Sequence, residues 1–241
     1  MNRRDFIKVA VAGFGTVLSC GAAINMLNTK SVPETAPIAE AAPQAADGKQ
    51  NVVVITGSPH RAGTSALLAD KFIEGVQQNG HHVFRFNAAF EDIHPCRACN
   101  ACNRNGKCIL NDAIEQKLMP ELLKADIIVL ITPLYYYGMS TQLKTVLDRF
   151  YSHVRSFDGK KSLLLTTAYN SANWTFEALI EHYQTLVKYM QWHDLGMVLG
   201  YGCGSRYSIE RSDFPNQALK LGQSIKQEAE YEYRSFNRQS A

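Results

Sequence analysis

Two short runs constrain this chain more than any other feature. Val52-Val53-Val54-Ile55 and Ile127-Ile128-Val129-Leu130-Ile131-Thr132 are continuous rather than alternating in hydrophobicity. A strand with one wetted face alternates apolar and polar residues, whereas a strand covered on both faces does not. Both runs are short and rich in β-branched residues, which favours strand over buried helix. They belong inside a sheet with helices on both sides, and that requires parallel strands joined by right-handed helical crossovers. The intervening sequence supplies the helices. From Thr64 onward Leu68, Phe72 and Val76 recur at a spacing of four, and the segment closes at Asn79-Gly80. Asn51 to Thr56 reads as the first strand, His82 to Phe86 as the second and Ile127 to Thr132 as the third. Ser162 to Thr167 reads as the fourth and Met197-Val198-Leu199 as the fifth. Further helices are predicted over Asp112 to Lys124, bent or broken by Pro120, and over Ser140 to Tyr151, Thr175 to Met190 and Asp213 to Tyr233. Residues 51–241 therefore predict one α/β domain with a doubly wound sheet.

Residues 1–50 are different material. Asn2-Arg3-Arg4-Asp5-Phe6-Ile7-Lys8 precedes an uncharged, Ala- and Gly-rich stretch from Val9 to Asn28, which resembles a twin-arginine signal peptide over residues 1–30. That resemblance implies export after folding, to the periplasm or cell envelope. Thr16-Val17-Leu18-Ser19-Cys20-Gly21 also resembles a lipobox, which would make a lipid anchor on Cys20 the one membrane attachment; Ala-rich sites near Ala39 to Ala46 offer ordinary cleavage instead. Nine of the twenty residues from Ser31 to Gln50 are Ala or Pro, so residues 31–50 read as a linker unable to bury enough apolar surface to order itself. A formal net charge of +3 without a basic stripe excludes nucleic acid as the partner.

Doubly wound sheets bind ligands beyond the carboxyl ends of their strands. The loop after the first strand, Gly57-Ser58-Pro59-His60-Arg61-Ala62-Gly63-Thr64-Ser65, joins a strand to a helix N-terminus. Backbone N–H groups, the helix dipole, the hydroxyls of Ser58, Thr64 and Ser65 and the Arg61 charge could together cradle a phosphate. The loop is neither a dinucleotide G-x-G-x-x-G nor a Walker loop, so a mononucleotide is favoured. The loop after the third strand, Thr132-Pro133-Leu134-Tyr135-Tyr136-Tyr137-Gly138-Met139, places consecutive aromatics at a strand end. Relaxed by Gly138, it can lay rings against a flat heterocycle; the same tyrosines could equally form a dimer interface.

Cys96-x2-Cys99-x2-Cys102-x5-Cys108, in an insertion at about 94–110, is the sharpest chemical signal. Thiolates at successive spacings of three, with a fourth returned by the turn at Asn105-Gly106, can surround a four-iron cluster. Arg97, Arg104 and Lys107 would offset its negative charge. Structural zinc usually takes two separated Cys pairs, and an exported chain can instead form disulfides; all three outcomes stay open on spacing alone. Cys203, between Gly202 and Gly204, reads as a small packed residue.

With these motifs in view, residues 51 to about 200 resemble the flavodoxin-like NADPH-dependent FMN reductase superfamily. The resemblance rests on Gly57-Ser58-Pro59 through Ser65, on Thr132-Pro133-Leu134-Tyr135, and on Gln142-Leu143-Lys144 through Asp148-Arg149. It implies a five-stranded parallel sheet of order 2-1-3-4-5 in a single domain. It also implies FMN, with its phosphate at Ser58, His60, Arg61, Thr64 and Ser65 and its ring against Pro133, Leu134, Tyr135, Tyr136 and Gly138. His60 stands where many relatives carry Arg or Lys, which shifts charge compensation to Arg61. Asp148 and Arg149 read as structural. The cysteine spacing resembles the iron-sulfur flavoprotein branch, which implies Cys96, Cys99, Cys102 and Cys108 as ligands of a [4Fe-4S] cluster. The expected protein is thus an exported FMN-dependent oxidoreductase, with NAD(P)H as donor and the cluster as a route for electrons. The alternative is an electron carrier between protein partners. FMN carries the electron chemistry, so no catalytic side chain is expected. Expected partners are small-molecule or protein electron donors and acceptors and further copies of this chain.

Overall fold

The computed structural model describes residues 48–226. The signal segment, Cys20, nearly all of the linker and the end of the closing helix predicted to reach Tyr233 lie outside the described residues. Five strands, β1 (Asn51–Thr56), β2 (His82–Asn87), β3 (Ile127–Pro133), β4 (Lys161–Thr167) and β5 (His193–Gly200), form one sheet in the order β2-β1-β3-β4-β5. Every pairing is parallel. This is the flavodoxin-like order that the resemblance implies.

The continuous apolar runs divide between two cores, as burial on both faces demands. Val53, Ile55, Ile128, Leu130 and Leu164 face one layer. It is completed by α3 (Met119–Lys124), α4 (Thr141–Arg149) and α5 (Glu177–Tyr189). Val52, Val54, Ile127, Val129, Ile131, Leu163 and Leu165 face the other, against α1 (Thr64–Gln78) and α7 (Phe214–Gln223). Each such side chain contributes roughly 1.5–3 kcal/mol by leaving water. On that second face α1 and α7 touch backbone to backbone: a Cβ on Gly75 would lie 2.2 Å from the Leu219 carbonyl oxygen, and one on Gly222 would lie 2.2 Å from that of Phe72. Gly75→Val should therefore force the two helices apart and lower stability by roughly 1–3 kcal/mol, read as a lower urea midpoint.

Elements differ from expectation where local chemistry intervenes. Pro120 does not break a helix; it sits in the first turn of α3, where its missing N–H costs nothing, after a π-helical turn over Ile114–Leu118. β5 begins at His193, ahead of the expected Met197, and passes through Gly196 at φ +129° beside a register shift near Ser162 and Leu164. Within the cysteine insertion, only Ala101–Asn105 forms a helix, α2. A further short helix, α6 (Arg206–Glu210), follows β5. Among the described residues, no helix is long and apolar enough to cross a membrane.

The ends of the insertion are clasped by Arg149, which is 1% exposed. Its Nη1 donates to Asp112 Oδ2 at 2.6 Å and to the His94 carbonyl at 3.0 Å. Its Nη2 donates to Glu115 Oε1 at 3.1 Å and to the Leu110 carbonyl at 3.3 Å. Asp112 also accepts the His94 N–H at 2.9 Å. Asp148 and Arg149 are structural, as expected, by different routes: Asp148 pairs with Lys144 one turn back on α4, while Arg149 reaches across to the insertion.

Candidate functional site

Because all strands are parallel, the loops after β1, β3 and β4 open at one edge of the sheet. The first two are joined through Gly57 and Ser140. The Gly57 N–H donates to the Ile131 carbonyl at 2.9 Å, and its own carbonyl accepts Ser140 Oγ at 2.8 Å. A Cβ at Gly57 would fall 2.2 Å from Ser140 Oγ, so only glycine fits there. Ser140 caps α4 through the Leu143 N–H and donates its own N–H to Thr132 Oγ1 at 2.9 Å.

The N-terminus of α1 keeps its donors available. Its N-cap is Gly63, which supplies no side-chain cap, and no acidic residue lies in its first turn. Ser58 Oγ accepts the His60 N–H at 3.2 Å, and Thr64 Oγ1 meets Thr167 Oγ1 at 2.8 Å, tying α1 to the end of β4. Ser65 is 2% exposed, and its Oγ has no hydrogen-bond partner among the described residues. A buried hydroxyl without a partner beside an uncapped helix N-terminus suits a phosphate oxygen. His60 and Arg61 take a different position from Thr64 and Ser65. They face a recess toward β2, where the Arg61 guanidinium lies 3.8 Å above the Phe90 ring centroid.

The loop after β3 is a two-residue hairpin turn: Tyr135 and Gly138 exchange both N–H···O bonds at 3.0 Å. Tyr136 at φ +46° and Tyr137 at φ +62° occupy its centre, so the left-handed conformation falls on two tyrosines rather than on Gly138. Each carries roughly 1–2 kcal/mol of strain that glycine would avoid. Replacing Tyr136-Tyr137 by Asn-Gly should raise the thermal midpoint by several degrees while weakening any ring that the loop holds. Tyr137 also packs on Trp174 of the loop after β4, with centroids 5.2 Å apart. Tyr135, Tyr136, Tyr137, Tyr169 and Trp174 are all exposed at this edge. Sequence reasoning missed Trp174 and Tyr169; the only signal available was an aromatic pair in an Asn- and Ser-rich stretch after a buried strand.

The cysteines of the insertion lie at or near the surface. Cys96 and Cys99 are exposed, Cys102 and Cys108 partly so, and all four are free thiols. Among the described residues no three His, Cys, Asp or Glu side chains gather in a way that could hold a metal ion. The insertion is shaped by other contacts. Ala98 and Asn100 turn the chain at φ +51° and +54°, Cys96 Sγ accepts the Ala98 N–H at 3.4 Å, and Tyr151 bonds Asn103 at 2.9 Å. In this arrangement the four thiols fit neither a four-iron cluster nor a zinc site. Cys203 is buried as expected; burial pushes its thiol pKa up, which keeps it inert.

Residues 50–199 match the NADPH-dependent FMN reductase family, well over half of the chain. The chain belongs to this family. Among its relatives, an iron-sulfur flavoprotein of Methanocaldococcus jannaschii is 33% identical over 41% of this chain and 50% of its own length. One of Archaeoglobus fulgidus is 28% identical over 45% of this chain and 50% of its own length. The chain thus spans about half the length of these curated relatives. The YwqN protein of Bacillus subtilis, whose name describes an NAD(P)H-dependent FMN-containing oxidoreductase, is 26% identical over 63% of this chain and 84% of its own. In fold, the chain is similar to an NAD(P)H:quinone oxidoreductase from Methanothermobacter marburgensis, with a TM-score of 0.59 at 15% identity, covering 74% of this chain and 96% of that one.

Proposed function

We propose that this chain is an FMN-dependent oxidoreductase that takes electrons from a reduced nicotinamide nucleotide and passes them to a small acceptor. The observation that carries this reading is the uncapped α1 N-terminus with the partnerless Ser65 hydroxyl, held rigidly beside an exposed aromatic edge. When bound, FMN supplies the electron chemistry. The residues around it bind and shield. Ser58, Thr64, Ser65 and the loop N–H groups hold the phosphate, while Pro133, Leu134, Tyr135, Tyr136 and Gly138 border the ring. Trp174, stacked on Tyr137, limits water at the ring's edge. No side chain is assigned as acid or base. The test is a titration of the purified protein with FMN and with riboflavin, followed by NAD(P)H oxidation. FMN should bind roughly tenfold to a hundredfold more tightly than riboflavin; equal affinities would remove the phosphate site.

A second reading, an exported electron carrier, is favoured by the Arg3-Arg4 segment and by the names of the iron-sulfur flavoprotein relatives. Outside the cytoplasm a redox protein is a better-supplied donor than NAD(P)H. This reading requires the thiols to rearrange around iron. Iron and acid-labile sulfide in anaerobically purified protein would support it, and their absence would sink it. Replacing Arg3 and Arg4 together by Lys tests the export half, since the unprocessed chain should then stay in the cytoplasm.

A further inference from the structure

Away from the loops after β1, β3 and β4 lies a groove of about 460 Å³ whose walls include Cys96, Asp148, Val154, Tyr189, Met190 and Trp192. It is bounded by the cysteine insertion, by α4 with the 3-10 turns over Phe150–Phe157 that follow it, and by the end of α5. None of the residues assigned above to the flavin lines it. Its lining is mostly aromatic and aliphatic, yet Tyr151 and Tyr189 remain exposed, so apolar surface is left for something to cover.

Charge around the groove has one unbalanced sign. Arg97 follows the lining residue Cys96, Arg155 follows Val154 and Lys188 precedes Tyr189, so each of the three walls carries an exposed cation. None of the three makes an ion pair or hydrogen bond with the described residues. Among the lining residues the carboxylate is Asp148, and Lys144 already pairs with it at 2.5 Å. An apolar groove edged by unpaired cations fits an acidic segment that carries aromatic rings. A second copy set groove to groove would oppose these cations to themselves, which disfavours a symmetric dimer here.

The chain contains a segment of that chemistry in Glu228-Ala229-Glu230-Tyr231-Glu232-Tyr233, outside the described residues. Its sequence alternates with a period of two. In an extended backbone that period puts Glu228, Glu230 and Glu232 on one side and Tyr231 and Tyr233 on the other. The rings can then enter the groove while the carboxylates meet the long cationic side chains at its edge. The distance also fits. The Ile225 carbonyl accepts Asn79 Nδ2 and His81 Nε2, each at 3.0 Å, just ahead of the amino end of β2. Trp192 immediately precedes β5, so the groove opens at the same amino edge of the sheet. From β2 to β5 is four strand spacings, about 19 Å, and the helix layer lies about 10 Å to one side, for a diagonal of roughly 22 Å. The chain from Ile225 to Tyr233 can span about 26–29 Å when extended.

We propose that this groove is the docking site of residues 228–233 of the same chain, which cover Cys96 and strap the cysteine insertion to α4 and α5. The inference goes beyond the reductase reading and does not depend on it. The test uses the full chain under reducing conditions and compares iodoacetamide alkylation of Cys96, which lines the groove, with that of Cys99, which is also exposed but does not line it. Cys96 should react roughly tenfold more slowly than Cys99. Salt at about 1 M, which screens the ion pairs, should narrow the gap. Replacing Glu228, Glu230 and Glu232 together by Gln should close most of it, and so should Arg155→Glu with Lys188→Glu on the groove side, where neither residue adjoins Cys96 in sequence. A synthetic peptide of residues 227–241 added to the Gln variant should restore the protection saturably, which separates lost docking from damage to the fold. Equal rates at Cys96 and Cys99 in the wild-type chain, or an unchanged gap in the Gln variant, overturn the proposal. So does a gap that grows with protein concentration alongside a dimer in sedimentation, which gives the groove to a second copy. A gap that appears only with phosphatidylglycerol vesicles overturns it too, in favour of a lipid surface.

Discussion

Arg149→Met should destabilise the domain by roughly 3–5 kcal/mol, a large share of the stability of a chain this size. The substitution preserves much of the side chain's apolar bulk but removes the donors that satisfy Asp112, Glu115 and the carbonyls of His94 and Leu110. Asp112 would then be a buried carboxylate without its cation. A charge isolated in this way costs more than the intact pair contributes, so Arg149→Met with Asp112→Leu should recover part of the loss. The clasp also closes the cysteine insertion, so trypsin should cut the variant faster at Arg97, Arg104 and Lys107, whereas a core defect elsewhere would not single out that segment. The pair further sets an acid limit. Burial alone would raise the Asp112 pKa, but the Arg149 hydrogen bond, the His94 N–H and the Arg149 charge outweigh it and hold the carboxyl below its ordinary value of 3.8. A folded-state pKa depressed in this way adds stability that is fully present above about pH 4 and is lost as pH falls through the folded value. Asp112→Asn should therefore flatten the fall in stability below about pH 4, measured by urea unfolding at successive pH values.

This clasp also shows where sequence reading stops. Burial on both faces of a strand leaves a continuous apolar run, so β1, β3 and β4 were legible to within a residue or two. β5 was legible only at its apolar end, because Asp194 and Gly196 interrupt the pattern where the strand begins. The cysteine spacing was plain, yet spacing along the chain does not fix where thiols point. Here the insertion is tied down by Tyr151 and Arg149, which lie 48 and 55 positions from their partners Asn103 and His94. The sequence reads as a loop after β3 relaxed by Gly138, but the hairpin register places Tyr136 and Tyr137, at positive φ, at the centre of the turn. Trp174 carries no motif at all. Its place beside Tyr137 follows from the sheet order, which the resemblance implied, together with a side-chain contact that only the folded chain shows.

Ser65→Ala should move stability and flavin affinity in opposite directions, a combination that separates a ligand-binding hydroxyl from a structural one. Ser65 Oγ is buried without a partner among the described residues, and without a ligand such a hydroxyl costs roughly 1–3 kcal/mol relative to an apolar replacement. Alanine removes that cost and is also the better helix former in the first turn of α1. The flavin-free variant should therefore unfold at least about 1 kcal/mol later than wild type. With FMN present the sign reverses. The hydroxyl's charge-assisted bond to the phosphate is gone, and FMN should bind roughly tenfold to a hundredfold more weakly. Because a ligand stabilises a protein in proportion to the logarithm of its concentration over Kd, the thermal shift produced by excess FMN should shrink accordingly. Thr64→Ala is the control. Its Oγ1 is already bonded to Thr167, so its loss should lower flavin-free stability by roughly 0.5–1.5 kcal/mol. Two hydroxyls one residue apart would thus respond oppositely to the same truncation without FMN. If Ser65→Ala instead lowers flavin-free stability and leaves FMN affinity intact, the hydroxyl has a partner within the fold, and the phosphate cradle must be rebuilt on Ser58, Thr64 and the backbone alone.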